Sequence, residues 1–202
     1  MENEKKEWTK NANSVYKTLG ASNHSLSERE EHDFYATDPA SVRALMDEEV
    51  FARYIWEPAC GMGHISKTIM EENSMYVKES DIVQRIPCHK IDFLNYDGPQ
   101  FEGDIITNPP YSKALEFVRK ALDVVTDGHK VAMLLRIQFL EGMARRELFD
   151  VTPPIRVYVF SKRQVCAKNG DFEKYGKGGS AQCYAWFVWQ KGVRQDPIIK
   201  WL

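Results

Sequence analysis

The run Tyr54-Ile55-Trp56-Glu57-Pro58-Ala59-Cys60-Gly61-Met62-Gly63-His64 reads as the opening of a βα unit. An apolar strand leads into Glu57, a turn follows with glycines at 61 and 63, and residues 65–72 have a helical pattern. Glycines at such a turn let a ligand come close to the backbone, and the helix N-terminus favours polar or anionic groups. The third glycine of the dinucleotide fingerprint is missing, which argues against a plain NAD site. On its own the turn is equally a tight strand–helix connection with no ligand. His64 stands beside it and reads as an incidental helix-start residue.

Working outward, residues 75–77 begin a second strand that ends in Lys78-Glu79-Ser80-Asp81. An acid at the end of the second strand is where a Rossmann-like fold binds ribose hydroxyls. Asp81 is the first choice for that role and Glu79 the second. Ile91-Asp92-Phe93-Leu94 reads as a third strand, with an acid beside an aromatic, a pair suited to hold and stack on an adenine ring. Taken singly, Asp81 and Asp92 also read as solvated loop acids.

Further on, Asp104-Ile105-Ile106-Thr107 reads as a short buried strand that stops in Asn108-Pro109-Pro110-Tyr111. The two prolines carry no backbone donor and fix the local dihedrals. The carbonyl of Pro109 and the side chain of Asn108 can therefore be held as acceptors. A planar exocyclic amine, such as N6 of adenine, is a poor nucleophile because its lone pair is conjugated into the ring. Two acceptors that hold its N–H groups draw the nitrogen toward a tetrahedral shape, and Tyr111 can stack on the base. A Pro-Pro pair after a strand is also an ordinary turn.

Strand and helix patterns alternate from 54 to 149, which predicts βαβ units and a mostly parallel sheet. Residues 39–49 look helical. In 112–125 the apolar residues Ala114, Leu115, Val118, Ala121, Leu122 and Val125 recur at helical spacing. That helix would set Tyr111 at the carboxyl edge of the sheet, where open α/β sheets bind ligands. Residues 131–135 form a further buried strand. Residues 155–160 and 184–190 read as the last two strands, an antiparallel pair. Residues 1–32 are polar and read as a mobile or partly helical arm.

At 202 residues a single domain with a sizeable core is expected. A hydrophobic share of 43% and a charged share of 28% describe an ordinary globular protein. No apolar run is long enough to span a bilayer and the N-terminus has no apolar signal region, so no membrane partner is expected. Cys60, Cys88, Cys166 and Cys183 are scattered, which favours a reduced, cytoplasmic setting over a disulfide framework. The five histidines show no ligand spacing, and no metal is expected.

The net charge of −2 hides an asymmetry. Residues 151–202 carry nine basic and three acidic groups, a net of +6, whereas residues 1–150 have a net of −8. A polyanion would prefer the C-terminal part, although a solvated basic surface has the same composition. Residues 161–182 have little core-forming character and carry Lys168, Lys174 and Lys177 among aromatics and glycines. Such an excursion could clamp nucleic acid, with lysines on phosphates and aromatics near bases.

In their order along the chain, the Glu57-to-Gly63 turn, Asp81, Asp92-Phe93 and Asn108-to-Tyr111 resemble S-adenosylmethionine-dependent amino-methyltransferases. The pattern is most similar to the small DNA adenine-N6 methyltransferases of bacteriophages and prophages. Asp33-Phe34-Tyr35-Ala36-Thr37-Asp38-Pro39 resembles the segment of that group that closes over the cofactor. Phe139-Leu140-Glu141-Gly142 resembles an active-site loop, and Tyr184-Ala185-Trp186-Phe187-Val188-Trp189 a late strand. The resemblance covers about residues 33–191.

The resemblance implies a Rossmann-like class I methyltransferase fold over residues 33–202, with a mostly parallel seven-stranded sheet and helices on both faces. It implies S-adenosyl-L-methionine as cofactor, held by Tyr35, Thr37, Glu57, Pro58, Ala59, Gly61, Gly63, Asp81, Asp92 and Phe93. DNA is the implied partner, in a bacterial or phage-infected cell, with Asn108, Pro109, Pro110 and Tyr111 catalytic. Cytosine N4 methylation uses the same chemistry, and enzymes that perform it often have Ser where Asn108 stands. Glutamine methylation of a protein also uses this turn, but the basic C-terminal third and the Trp-rich strand argue mildly against it. A turnover-deficient nucleic-acid or partner binder is the non-enzyme alternative, and the intact turn speaks against it.

Overall fold

The computed structural model describes residues 35–73, 75–162, 167–168 and 182–202. The arm at residues 1–32, Lys174 and Lys177 lie outside these, and Lys168 is described in its backbone alone.

The elements run in chain order as β1 (Tyr35–Ala36), α1 (Pro39–Glu48), β2 (Tyr54–Glu57), α2 (His64–Asn73), β3 (Tyr76–Asp81) and β4 (His89–Lys90). Next come β5 (Asp104–Thr107), α3 (Ala114–Val124), β6 (Lys130–Arg136), α4 (Met143–Val151) and β7 (Arg156–Val159). The last are β8 (Ala167–Lys168), β9 (Tyr184–Gln190) and β10 (Ile198–Trp201). Short 3-10 turns, Tyr111–Lys113 and Ile137–Leu140, follow β5 and β6.

Eight strands form one sheet in the order β10-β7-β9-β6-β5-β2-β3-β4, and β1 pairs with β8 in a separate ribbon. All neighbours in the large sheet are parallel except those of β9, which runs antiparallel to both β6 and β7. The sequence predicts seven strands. Eight are present, two of them unpredicted: β4 at one edge, and β10, which adds to the outer edge of β7 with Ile198 opposite Arg156. The antiparallel pairing of the two late strands is as expected. The predicted strand at 91–94 is absent. The ladder with β3 stops at Lys90; Ile91 N–H still donates to the carbonyl of Asp81 at 3.1 Å, and the chain then turns.

The sheet is covered on both faces, and strand alternation shows which side chains go where. In β6, Val131, Met133 and Leu135 enter one core layer, while Ala132 and Leu134 enter the other. The first layer is capped by α3 through Phe117, Val118, Ala121 and Val124. These positions fall at helical period, so one apolar stripe of α3 meets the sheet. The second layer is capped by Val42 and Leu45 of α1 with Ile65 and Ile69 of α2.

A buried carboxylate sets the far end of the sheet. Asp104 accepts from the backbone N–H of Ala52 at 2.6 Å and of Lys130 at 2.8 Å. One side chain thus anchors the starts of β5 and β6 and the approach to β2. The opposite, carboxyl edge is left to loops. There the chain order reverses between β2 and β5, the place where open α/β sheets bind ligands.

Candidate active site

The glycine turn is built by its neighbours. Gly61 and Gly63 have φ of 54° and 74°, in the left-handed region that side chains avoid. At Gly63 a Cβ would also lie 2.9 Å from Cδ1 of Ile86 and 3.1 Å from Oε1 of Glu79. The turn is held to β3 by Cys60 N–H donating to the carbonyl of Ser80 at 3.0 Å. Asp81, at the end of β3, accepts from the N–H of Gly61 at 2.8 Å and from that of Val83 at 2.8 Å. Its other neighbour is Arg85, 3.6 Å away.

Glu57 ends β2 and is buried. Its carboxylate accepts from the backbone N–H of Ser66 at 2.9 Å, so a strand residue satisfies an open donor of the first turn of α2. Burial holds the Glu57 carboxyl well above the usual carboxylate range; the bonds from Ser66 offset this in part, and Glu79 and Asp81 add to it. The folded protein therefore binds a proton that the unfolded chain releases near the usual carboxylate range. Stability from this group is largest at low pH and is lost as pH rises toward the raised folded value. Glu57→Gln, which keeps an acceptor for Ser66, should gain stability relative to the native protein over the pH range above the usual carboxylate values. Thermal melts across that range check this, and parallel curves would refute it.

A cavity of about 600 Å³ opens beside this turn at the carboxyl edge of the sheet. Thr37, Glu57, Pro58, Ala59, Asp81, Asp92 and Phe93 line it, and so do Asn108, Pro109, Pro110 and Tyr111. The structure thus brings together most of the residues singled out in the sequence. Gly61 and Gly63 shape the turn behind the wall without lining it, and Glu79 is also outside it, bonded to the hydroxyl of Ser66. Tyr35 contributes its backbone to β1, directly before Ala36 and Thr37 in the wall.

Two of these residues sit differently from the expectation. Asp92 caps its own turn, accepting from Leu94 N–H at 3.2 Å and from the Asn95 amide at 2.8 Å. Phe93 is buried, with its ring edge-on to Trp56 at 5.3 Å and tilted on Phe117 at 5.4 Å. Phe93 is as much a core residue as a cavity wall.

At the other wall, β5 delivers Asn108, whose amide donates to the hydroxyl of Thr37 at 3.1 Å. The Tyr111 ring lies against Tyr184, 5.5 Å between centroids, and under the guanidinium of Arg136 at 5.0 Å. Arg136 and Tyr184 are directly opposed on β6 and β9, so their side chains leave the same face of the sheet. Tyr111 rests on that pair and still lines the cavity.

Sequence reading missed several wall residues. His64 was read as incidental, yet it lines the cavity, with burial and then Lys67 lowering its pKa, so the ring favours the neutral form. Cys60, Arg85, Ile82 and Leu94 line it too. Burial, reinforced by Glu57, pushes the Cys60 thiol up and keeps it protonated, which makes it a poor nucleophile. Arg85 lies four residues beyond Asp81, on the non-helical stretch that follows β3.

No protein-family model matches the chain, and no curated protein matches it. Solved structures do. A Listeria monocytogenes protein assigned to the class I S-adenosylmethionine-dependent methyltransferases superposes with a TM-score of 0.59 at 12% identity, over 93% of this chain and 72% of that one. A Pyrococcus horikoshii protein assigned as an RNA methyltransferase gives 0.55 at 11% identity, over 84% and 97%. The 23S rRNA methyltransferase ErmE gives 0.53 at 15% identity, over 81% and 71%. The fold is that of the Rossmann-like class I methyltransferases. At 11–15% identity these likenesses speak for fold alone. Among the described residues no helix is long and apolar enough to cross a membrane, and no group of three or more His, Cys, Asp or Glu could hold a metal ion.

Proposed function

We propose that this chain transfers a methyl group from S-adenosyl-L-methionine to the exocyclic N6 amine of adenine in DNA. One observation carries the reading: a single cavity is lined by Pro58, Ala59, Cys60 and Asp81 on the cofactor side and by Asn108, Pro109 and Tyr111 of the proline turn. A donor and an acceptor held in one pocket meet in fixed orientation, which is where most of the catalytic gain of such a reaction arises.

The residues present fit the cofactor. Ala59 and Cys60 of the turn that Gly61 and Gly63 shape border the space for its methionine part, Asp81 offers acceptors to ribose hydroxyls, and Ile82, Leu94 and Phe93 offer apolar surface to its adenine. The cofactor supplies an electrophilic methyl group on a sulfonium, so no covalent intermediate with the protein is required. Asn108 and the Pro109 carbonyl hold the two N–H groups of the target amine, and Tyr111 stacks on the base. Within a duplex N6 is out of reach, so the base is flipped into the pocket. The proton released after transfer passes to water, and no residue is assigned as general base.

Lys168, Lys174 and Lys177 are the proposed phosphate contacts. The backbone of Lys168 pairs with that of Tyr35, two residues before Thr37.

Incubation with labelled cofactor and DNA, RNA or a protein extract tests the reading. The expected product is N6-methyladenine in digested DNA. Label in N4-methylcytosine or in protein glutamine would replace the substrate assignment, and no label in any of the three would refute methyl transfer.

A further inference from the structure

We infer that Thr37 is a positioning residue for Asn108, fixing which end of its amide faces the target amine. The inference deepens the amine-methylation reading and rests on it. A carboxamide has a donor end and an acceptor end of nearly the same shape. Only the acceptor end serves a substrate N–H, because the donor end would set N–H against N–H. Asn108 Nδ2 donates to Thr37 Oγ1 at 3.1 Å, across 71 residues of sequence. Thr37 is 3% exposed, so water does not compete for this bond. With the nitrogen committed to Thr37, Oδ1 is the end left for the amine.

A hydroxyl also donates, so the sense of the contact depends on where its own proton goes. Thr37 is itself part of the cavity wall, as are Asn108 and Asp81. Its proton can be given to an acceptor bound in the cavity while one lone pair receives Asn108. The two residues come from well-separated stretches of the chain: Thr37 follows β1, ahead of α1, and Asn108 follows β5. Asp38 fixes that approach, accepting from the N–H of Ala40 at 2.9 Å to start α1. The amine-holding end of the site is thus completed by the segment at the head of the domain.

The test compares Thr37→Val, which keeps the shape and deletes the hydroxyl, with Thr37→Ser, which restores it. At saturating cofactor, kcat of Thr37→Val on DNA should fall about tenfold or more, the scale of an orphaned buried amide donor. Calorimetry measures any change in cofactor affinity separately, saturating cofactor removes it from kcat, and Thr37→Ser should recover most of kcat. A second readout needs no turnover: binding of oligonucleotides with adenine or amine-free purine at the mapped target position. The native protein should prefer adenine, and Thr37→Val should lose most of that preference. If Thr37→Val does not fold, Thr37→Ala carries the same comparisons. Native kcat and native preference in the hydroxyl-free variant would overturn the orienting role. So would a defect confined to cofactor affinity, which would make Thr37 a cofactor contact only. Absence of transfer by the native protein to DNA, RNA or protein would overturn the methylation reading, and this role with it.

Discussion

Replacing Asn108 by alanine is expected to slow methyl transfer by about 100-fold or more, the usual loss when one preorganised transition-state contact is removed. Cofactor affinity should stay near native. The side chain sits at the end of β5 in the wall of the cavity and is part of neither core layer. Its removal therefore takes away an acceptor for the amine with little effect on packing. The Pro109 carbonyl remains, because backbone does not change with the substitution, so activity should fall without vanishing. The loss should appear in single-turnover rates at saturating cofactor, since the missing contact strengthens only as the amine nitrogen becomes tetrahedral. Calorimetry on the same variant separates chemistry from binding. A variant that methylates DNA at nearly the native rate would sink the two-acceptor mechanism.

Much of this site was legible in the sequence because its parts are local. The strand before Glu57, the glycines with positive φ and the strand ending in Asp81 are each specified by a few adjacent residues. The strand before Asn108 is a buried run closed by two prolines, and α3 declares itself by period. Residues 91–94 misled for an identifiable reason. Apolar residues at 91 and 93 imitate strand alternation, but the Asp92 carboxylate caps the following backbone and offers the chain a turn in place of a ladder. Phe93 then drops into the core against Trp56, which is where its apolar character is used. The edge strand β10 escaped because Ile198, Ile199 and Trp201 are 51%, 52% and 70% exposed, so no one-sided burial marks it. Least legible was the shared cavity. Parallel pairing of β2 with both β3 and β5 sets Asp81 and Asn108 at one edge, and no local pattern encodes that register. The contact between Thr37 and Asn108 is of the same kind.

Asp81→Ala should act on binding where Asn108→Ala acts on chemistry. The Asp81 carboxylate is 6% exposed, and its oxygens already accept from Gly61 and Val83. Each oxygen keeps a further lone pair, which is what a pair of ribose hydroxyls requires. Deleting the carboxylate should weaken cofactor binding by roughly 1.5–3 kcal/mol, the range for hydrogen bonds to a charged group. That is about 10- to 150-fold in dissociation constant. Raising the cofactor concentration should recover much of the rate, a rescue that Asn108→Ala should not show. The melting temperature should also fall, because the tie from β3 to the N–H of Gly61 is lost and that donor is buried. Glu79→Gln is the paired control: Glu79 is bonded to the Ser66 hydroxyl and lies outside the cavity wall. It should leave cofactor affinity close to native. Calorimetry that finds affinity unchanged in Asp81→Ala but reduced in Glu79→Gln would move the ribose contact two residues back along β3, onto the acid that now faces α2.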